Sequence, residues 1–179
     1  MGSRMLTLSA LLGILVLGPV TAGAQQVSTE QVAGITNLRR IETTIACAGA
    51  ITATVVPEIR KMGFVSIVNL RLASEPGAEV EREEAAAKAA GLRYYHVPFD
   101  GSPDERAAAQ FLDAITSPGA EPAFVHCAGG NRAATMWLIK RVAVDHWDEA
   151  RAVAEAEALG QTNPRLREFA LTFARAHRR

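Results

Sequence analysis

Strand-like runs that alternate with helix-like runs predict an α/β fold in a single domain, with a central, mostly parallel sheet of about four strands flanked by helices. Three observations carry this. Residues 64–70 (FVSIVNL) are apolar on both faces, as a buried parallel strand is. Helix-length segments, not hairpin turns, separate the strand-like runs, so the strands join by right-handed crossovers that place helices on both faces of the sheet. The apolar run that leads into Cys127 ends in two glycines and then a helix-like stretch, a strand–loop–helix junction.

Each element has its own justification. Residues 25–37 are polar and read as a lead. Residues 43–47 form a weak strand. A helix runs from there to about Met62, its start constrained because Pro57 is at home only in a first turn, and Gly63 stops it. The strand over 64–70 follows. Residues 78–90, rich in Ala and Glu, are a helix ended by Gly91. Residues 93–99 are the next strand. Ser102-Pro103-Asp104-Glu105 reads as a capping box with Pro103 at the first helical position. Residues 122–126 deliver Cys127. Helices over 131–145, 147–159 and from Asn163-Pro164 onward complete the chain.

The N-terminus reads as a leader. Arg4 precedes an apolar run over 6–20, and Ala22-Gly23-Ala24 supplies a small-x-small cleavage pattern, so residues 1–24 are expected to be a signal peptide and residues 25–179 the domain. A membrane span needs about 20 apolar residues, and this run is shorter, so no stable anchor is expected. A periplasmic or secreted protein follows. The expected mature chain has 155 residues, with 18 Lys and Arg against 19 Asp and Glu. That near-neutral balance gives no electrostatic argument for nucleic acid or an anionic membrane as partner. The spacing of Cys, His and carboxylates suggests neither a metal site nor a cofactor, and a monomer is expected. Cys47 and Cys127, in an exported chain, raise the question of a redox pair.

Val125-His126-Cys127-Ala128-Gly129-Gly130-Asn131-Arg132 carries the chemistry. A loop of this kind, rich in glycine and opening a helix, turns backbone N–H groups and the positive end of the helix dipole toward one spot. A thiol there loses its proton readily. Ala128, Gly129, Gly130 and Asn131 form a phosphate-sized cradle, and Arg132 supplies a planar fork for two oxygens of a tetrahedral anion. Cys127 is the expected nucleophile. His126, whose side chain alternates away from the cradle, is an expected orienter of the loop. The leaving group of a phosphate ester needs a proton. Asp100, opening an Asp-Gly turn after a strand, is the first choice of acid, and Asp104 the second.

These residues also carry a resemblance. Gly63-Phe64, Val68-Asn69-Leu70-Arg71, Ala90-Gly91-Leu92-Arg93-Tyr94, His96-Val97-Pro98 and His126-Cys127 with Arg132 resemble the bacterial branch of dual-specificity, tyrosine-phosphatase-like proteins. More narrowly, they are similar to the phosphatase-like domain associated with beta-lactamase-hydrolase-like proteins. The resemblance implies a cysteine-phosphatase-like fold, with Cys127 as nucleophile, Arg132 as clamp, Asp100 as acid and a phosphorylated protein or small molecule as substrate. Two departures stand out. Four residues separate Cys127 from Arg132 where the family usually has five, and Ala133 follows where a Ser or Thr hydroxyl usually helps the thiolate leave. Thr135, one helical turn on from Arg132, is the residue nearest to replacing it. The leading expectation is an exported cysteine-dependent phosphomonoesterase. The alternatives are a rhodanese-like sulfurtransferase and a catalytically weak protein that binds phosphorylated ligands.

Overall fold

The computed structural model describes residues 26–179. The expected leader and its cleavage site lie outside them. Six strands form one sheet: β1 (Ser28–Val32), β2 (Ile35–Ile41), β3 (Ile45–Ala48), β4 (Ser66–Asn69), β5 (Arg93–His96) and β6 (Ala123–His126). Their spatial order is β1-β2-β3-β6-β4-β5. The four strands expected from sequence are β3 to β6, and they pair in parallel, as expected.

The first correction concerns the polar lead. It is an antiparallel hairpin, β1 with β2, which pairs in turn with β3. Strand alternation is hidden there. The buried residues of β2, Ile35, Leu38 and Ile41, are spaced three apart, because Asn37 takes φ 49° and interrupts the pleat. Period 2 is what marks a strand, and this one lacks it. Gly34, at φ 85°, makes the turn.

Helices cover both faces. On one lie α1 (Val56–Lys61) and α2 (Val80–Ala89); on the other lie α3 (Glu105–Ile115), α4 (Asn131–Ala143), α5 (Glu149–Ala158) and α6 (Pro164–Ala176). Pro57 stands in the first turn of α1, as its missing N–H requires. The second correction concerns α3. Its cap is Asp104, whose carboxylate accepts from the Ala107 N–H at 3.1 Å, so Pro103 sits before the helix, not at its first position.

The larger core lies between the sheet and α3 to α6. Ile45 and Cys47 of β3 and Val125 of β6 face it, with Trp137 fully buried at its centre. The Trp137 indole N–H donates to Glu155 Oε1 at 2.7 Å, which satisfies its one polar atom. The smaller core, under α1 and α2, has Phe64 edge-on to Phe124 with ring centroids 5.6 Å apart. Because β6 is buried on both faces, its C-terminal end projects Cys127 toward the large core and His126 toward the small one. Both the Cys127 loop and the Asp100 turn follow the carboxyl ends of parallel strands, where sites of such sheets lie.

Candidate active site

β6 ends at His126, and α4 begins at Asn131. The loop between them is fixed from behind. The Cys127 N–H donates to Ala48 O at 3.1 Å, Ala50 N–H to Ala128 O at 3.0 Å, and Asn37 Nδ2 to Gly129 O at 3.2 Å. The loop carbonyls therefore point away from the cradle. Among the described residues, the N–H groups of Ala128 and Gly129 have no protein acceptor, and the first N–H groups of α4 have none within the helix. Gly130 caps α4 at φ 100°, ψ −25°, and its N–H donates to Cys127 Sγ at 3.1 Å. A concave set of donors with a sulfur at its base is a site for a tetrahedral anion.

Close packing behind the loop depends on Gly49. A Cβ there would stand 2.9 Å from Ala128 O and 3.0 Å from Thr36 O. Gly49 lies in the Ala46–Ala50 stretch, just past β3, and the backbone of β3 passes under the loop at that point.

Arg132 is held by more than the cradle. Its Nη1 donates to Glu75 Oε1 at 2.7 Å, to Leu70 O at 3.3 Å and to Phe99 O; its Nη2 donates to Glu75 Oε2 at 2.9 Å. Glu75 is itself fixed by Arg71 Nε at 3.3 Å and the Leu72 N–H at 3.0 Å. Hydrogen bonds from Arg132 in the first place hold the Glu75 carboxyl at about 2, far below its ordinary value. Burial works against the Arg132 charge, but Glu75 and then Cys127 outweigh it and raise the guanidinium above its ordinary value. With Nη1 and half of Nη2 spent, the edge formed by Nε and the second Nη2 proton remains for an anion. Sequence reasoning missed Glu75 and Arg71. An acidic residue in the loop after β4 was the only signal, and chain distance from Arg132 hid it.

An open cleft of about 820 Å³ adjoins the loop, walled by Leu72, Glu75, Asp100, Asn131, Arg132 and Leu166 among others. Asp100 is exposed on this wall, and its Oδ1 accepts from the Ser102 N–H at 2.7 Å. Asp104 is spent on the cap of α3 and is not part of the wall. Cys127 is buried at the base of the loop. Asn131 contributes its backbone position, but its side chain bonds Thr162 at 2.7 Å and so ties the cradle to the α5–α6 loop. Thr135 donates its hydroxyl to Asn131 O at 2.9 Å. That is an ordinary helix back-bond, and it directs the hydroxyl proton to the backbone instead of the sulfur. His126 is fully buried with Nε2 3.2 Å from Glu83 Oε2. Cys47 and Cys127 are both free thiols. Cys47 pairs with Val125, so Cys127 lies one strand spacing across and two residues along, a diagonal of about 8 Å. A disulfide needs Cα atoms within about 7 Å, so the pair cannot close without backbone movement.

Fold and loop together define a class: an α/β domain with a mixed sheet, whose thiol and arginine share an anion cradle at a strand–helix junction. The chain belongs to the family of the phosphatase-like domain of Beta-lactamase hydrolase-like proteins, whose model matches residues 37–144. It is 32% identical over 102 residues to the Beta-lactamase hydrolase-like protein of Agrobacterium fabrum, covering 56% of this chain and 24% of that protein. It thus spans about a quarter of the length of the curated relatives it matches. Among solved structures it is similar to a putative phosphatase from Shewanella putrefaciens (17% identity, TM-score 0.66, 82% of this chain and 96% of that one). It is also similar to TpbA of P. aeruginosa (19% identity, TM-score 0.61, 87% and 92%), a protein also solved with phosphotyrosine bound.

Proposed function

We propose that this protein is an exported cysteine-dependent phosphomonoesterase that acts through a cysteinyl-phosphate. The reading rests above all on one arrangement: a sulfur that accepts the Gly130 N–H at the start of α4, beside an arginine with one edge left for an anion. The fold shared with TpbA, which binds phosphotyrosine, supports a phosphorylated substrate.

In this mechanism the phosphoryl oxygens take the N–H groups of the loop and the open edge of Arg132. Cys127 Sγ attacks phosphorus in line with the departing oxygen, and Asp100, on the cleft wall, gives that oxygen its proton. Water then attacks the cysteinyl-phosphate, with Asp100 taking the proton back. Charge on the three equatorial oxygens is met by donors already in place. Around Arg132 the cleft offers two carboxylates, Glu75 and Asp100, and the apolar side chains of Leu72 and Leu166. That lining suits a single phosphoryl group on an uncharged body better than a polyphosphate.

Phosphate release by the purified protein from an aryl phosphate tests the reading. Activity that Cys127→Ser abolishes supports it. Formation of thiocyanate from thiosulfate and cyanide without phosphate release would replace it with the sulfurtransferase. A second reading, phospho-ligand binding without turnover, draws on Ala133 and on the commitment of the Thr135 hydroxyl to Asn131 O. Vanadate or phosphopeptide binding without turnover or thiocyanate would establish it.

A further inference from the structure

We propose that Asn37, in the N-terminal hairpin, is a positioning residue of the site: its side-chain amide holds the Gly129–Gly130 peptide unit so that the Gly130 N–H points at Cys127 Sγ. The consequence for turnover rests on the phosphatase reading; the placement of the N–H does not.

That placement follows from one peptide plane. Gly129 O accepts from Asn37 Nδ2 at 3.2 Å, and the Gly130 N–H donates to Cys127 Sγ at 3.1 Å. Both groups belong to the same peptide unit. In a trans peptide the C=O and N–H lie in one plane and point in opposite directions, so whatever fixes the carbonyl aims the N–H. A glycine on each side leaves this unit free to rotate. Among the described residues, Asn37 is the side chain bonded to its carbonyl, from 92 positions away.

The preceding unit is braced from the same strand. The Ala50 N–H donates to Ala128 O at 3.0 Å, which turns the Gly129 N–H to the opposite side, into the cradle. Ala50 is held in turn by Thr36: the Thr36 N–H donates to Ala50 O at 2.9 Å, and the Gly49 N–H to Thr36 O at 2.7 Å. Thr36 and Asn37, consecutive in β2, therefore set two consecutive peptides of the loop.

The backbone at Asn37 is shaped for this contact. Thr36 and Asn37 together stand opposite Gln31, where the β1–β2 register shifts by one residue. A bulge of this kind re-aims side chains and recurs beside active sites. Three non-Gly residues take a positive φ among the described residues. Glu42 (φ 43°) and His146 (φ 54°) fall between elements, and Asn37 (φ 49°) falls inside a strand. Asn tolerates that conformation, yet glycine would meet the backbone need alone. What Asn adds is the amide.

Asn37→Gly keeps the backbone conformation and removes the amide; Asn37→Asp keeps the shape and sets an oxygen against Gly129 O. Both are read by ¹H–¹⁵N amide spectra and hydrogen exchange on the purified protein. The Gly130 amide resonance should shift and its exchange should quicken about five-fold, the scale of one exposed hydrogen bond. The Cys127 amide, bonded to Ala48 O, should keep its parent values. A Gly130 amide unmoved in folded Asn37→Gly overturns the proposal. So does an equal change at the Cys127 amide, which marks general loosening, and so does failure of both variants to fold, which makes Asn37 a structural residue of the hairpin. On an aryl phosphate, Asn37→Gly should lower kcat about five-fold and leave KM near the parent value; a parent-like kcat overturns the consequence for turnover. A parent protein that releases no phosphate, but whose Gly130 amide responds as stated, refutes the phosphatase reading and leaves the role of Asn37 standing.

Discussion

Arg132 Nη1 faces three acceptors, Glu75, Leu70 O and Phe99 O, so its orientation is set before any anion arrives. Replacing Arg132 by Lys keeps a charge and loses the fork. Turnover of an aryl phosphate should fall on the order of 10²–10³-fold, the usual cost of removing a transition-state donor. Glu75→Gln keeps an acceptor but loosens the bidentate pair. A misplacement of about 1 Å at such a clamp costs about 10²-fold, and kcat/KM should drop by that order while the fold persists. The same carboxylate predicts a pH effect. Its folded value, about 2, is depressed from an ordinary 4.5. Its contribution to stability is therefore present above about pH 4.5 and lost as pH falls toward 2. Thermal unfolding measured from pH 5 to 2 should show the Glu75→Gln variant losing less stability across that window than the parent. For Asp100→Asn, the loss should be about 10²–10⁴-fold on a poor leaving group and much smaller on an activated aryl phosphate, whose departing oxygen needs no proton. Rates unchanged from the parent on both substrates would move the acid elsewhere.

Among the elements, the junction of β6 and α4 is where position depends on backbone more than on side chains. Gly130 needs a positive φ, and Gly49 needs to lack a Cβ. Gly49→Ala would press on Ala128 O and Thr36 O, both backbone atoms that cannot swing aside. A loss of about 1–3 kcal/mol in stability is expected, together with weaker orthophosphate binding, measured by chemical denaturation and calorimetry. Parent-like values in both would mean the β3 segment gives way. The junction was also the most legible part of the chain. Cys127, the glycines and Arg132 lie within six consecutive positions, and local order alone implied a cradle. Residues brought in over distance were not legible. Glu75 reaches Arg132 from a loop 57 positions away, and Glu83 reaches His126 from a helix whose Ala- and Glu-rich sequence reads as solvated. The hairpin of β1 and β2 was hidden for a different reason: its polar residues face solvent at the sheet edge, and Asn37 breaks the alternation that would have marked it.

At the scale of the whole molecule, the first described strand lies close behind the expected leader. β1 starts at Ser28, three residues beyond Gln25, the first residue expected after cleavage. With cleavage after Ala24, as proposed from the sequence, mass spectrometry of protein from the cell envelope should find Gln25 at the N-terminus. A mature species that keeps residues 6–20 would sink the assignment. The proposed export would place two cysteines in an oxidising compartment. Burial first, then the nearby Cys127, pushes the Cys47 thiol well up, so Cys47 is a poor attacking thiolate. The strand register, besides, holds the two Cα atoms on a diagonal of about 8 Å. Both effects oppose an internal disulfide. The protein isolated without reductant should therefore show two free thiols after denaturation under trapping conditions, and Cys47→Ala should leave the dependence of activity on reductant unchanged. Recovery of a Cys47–Cys127 cross-link from the folded protein would mean that the loop after β6 moves by more than its backbone bonds to Ala48 and Ala50 suggest.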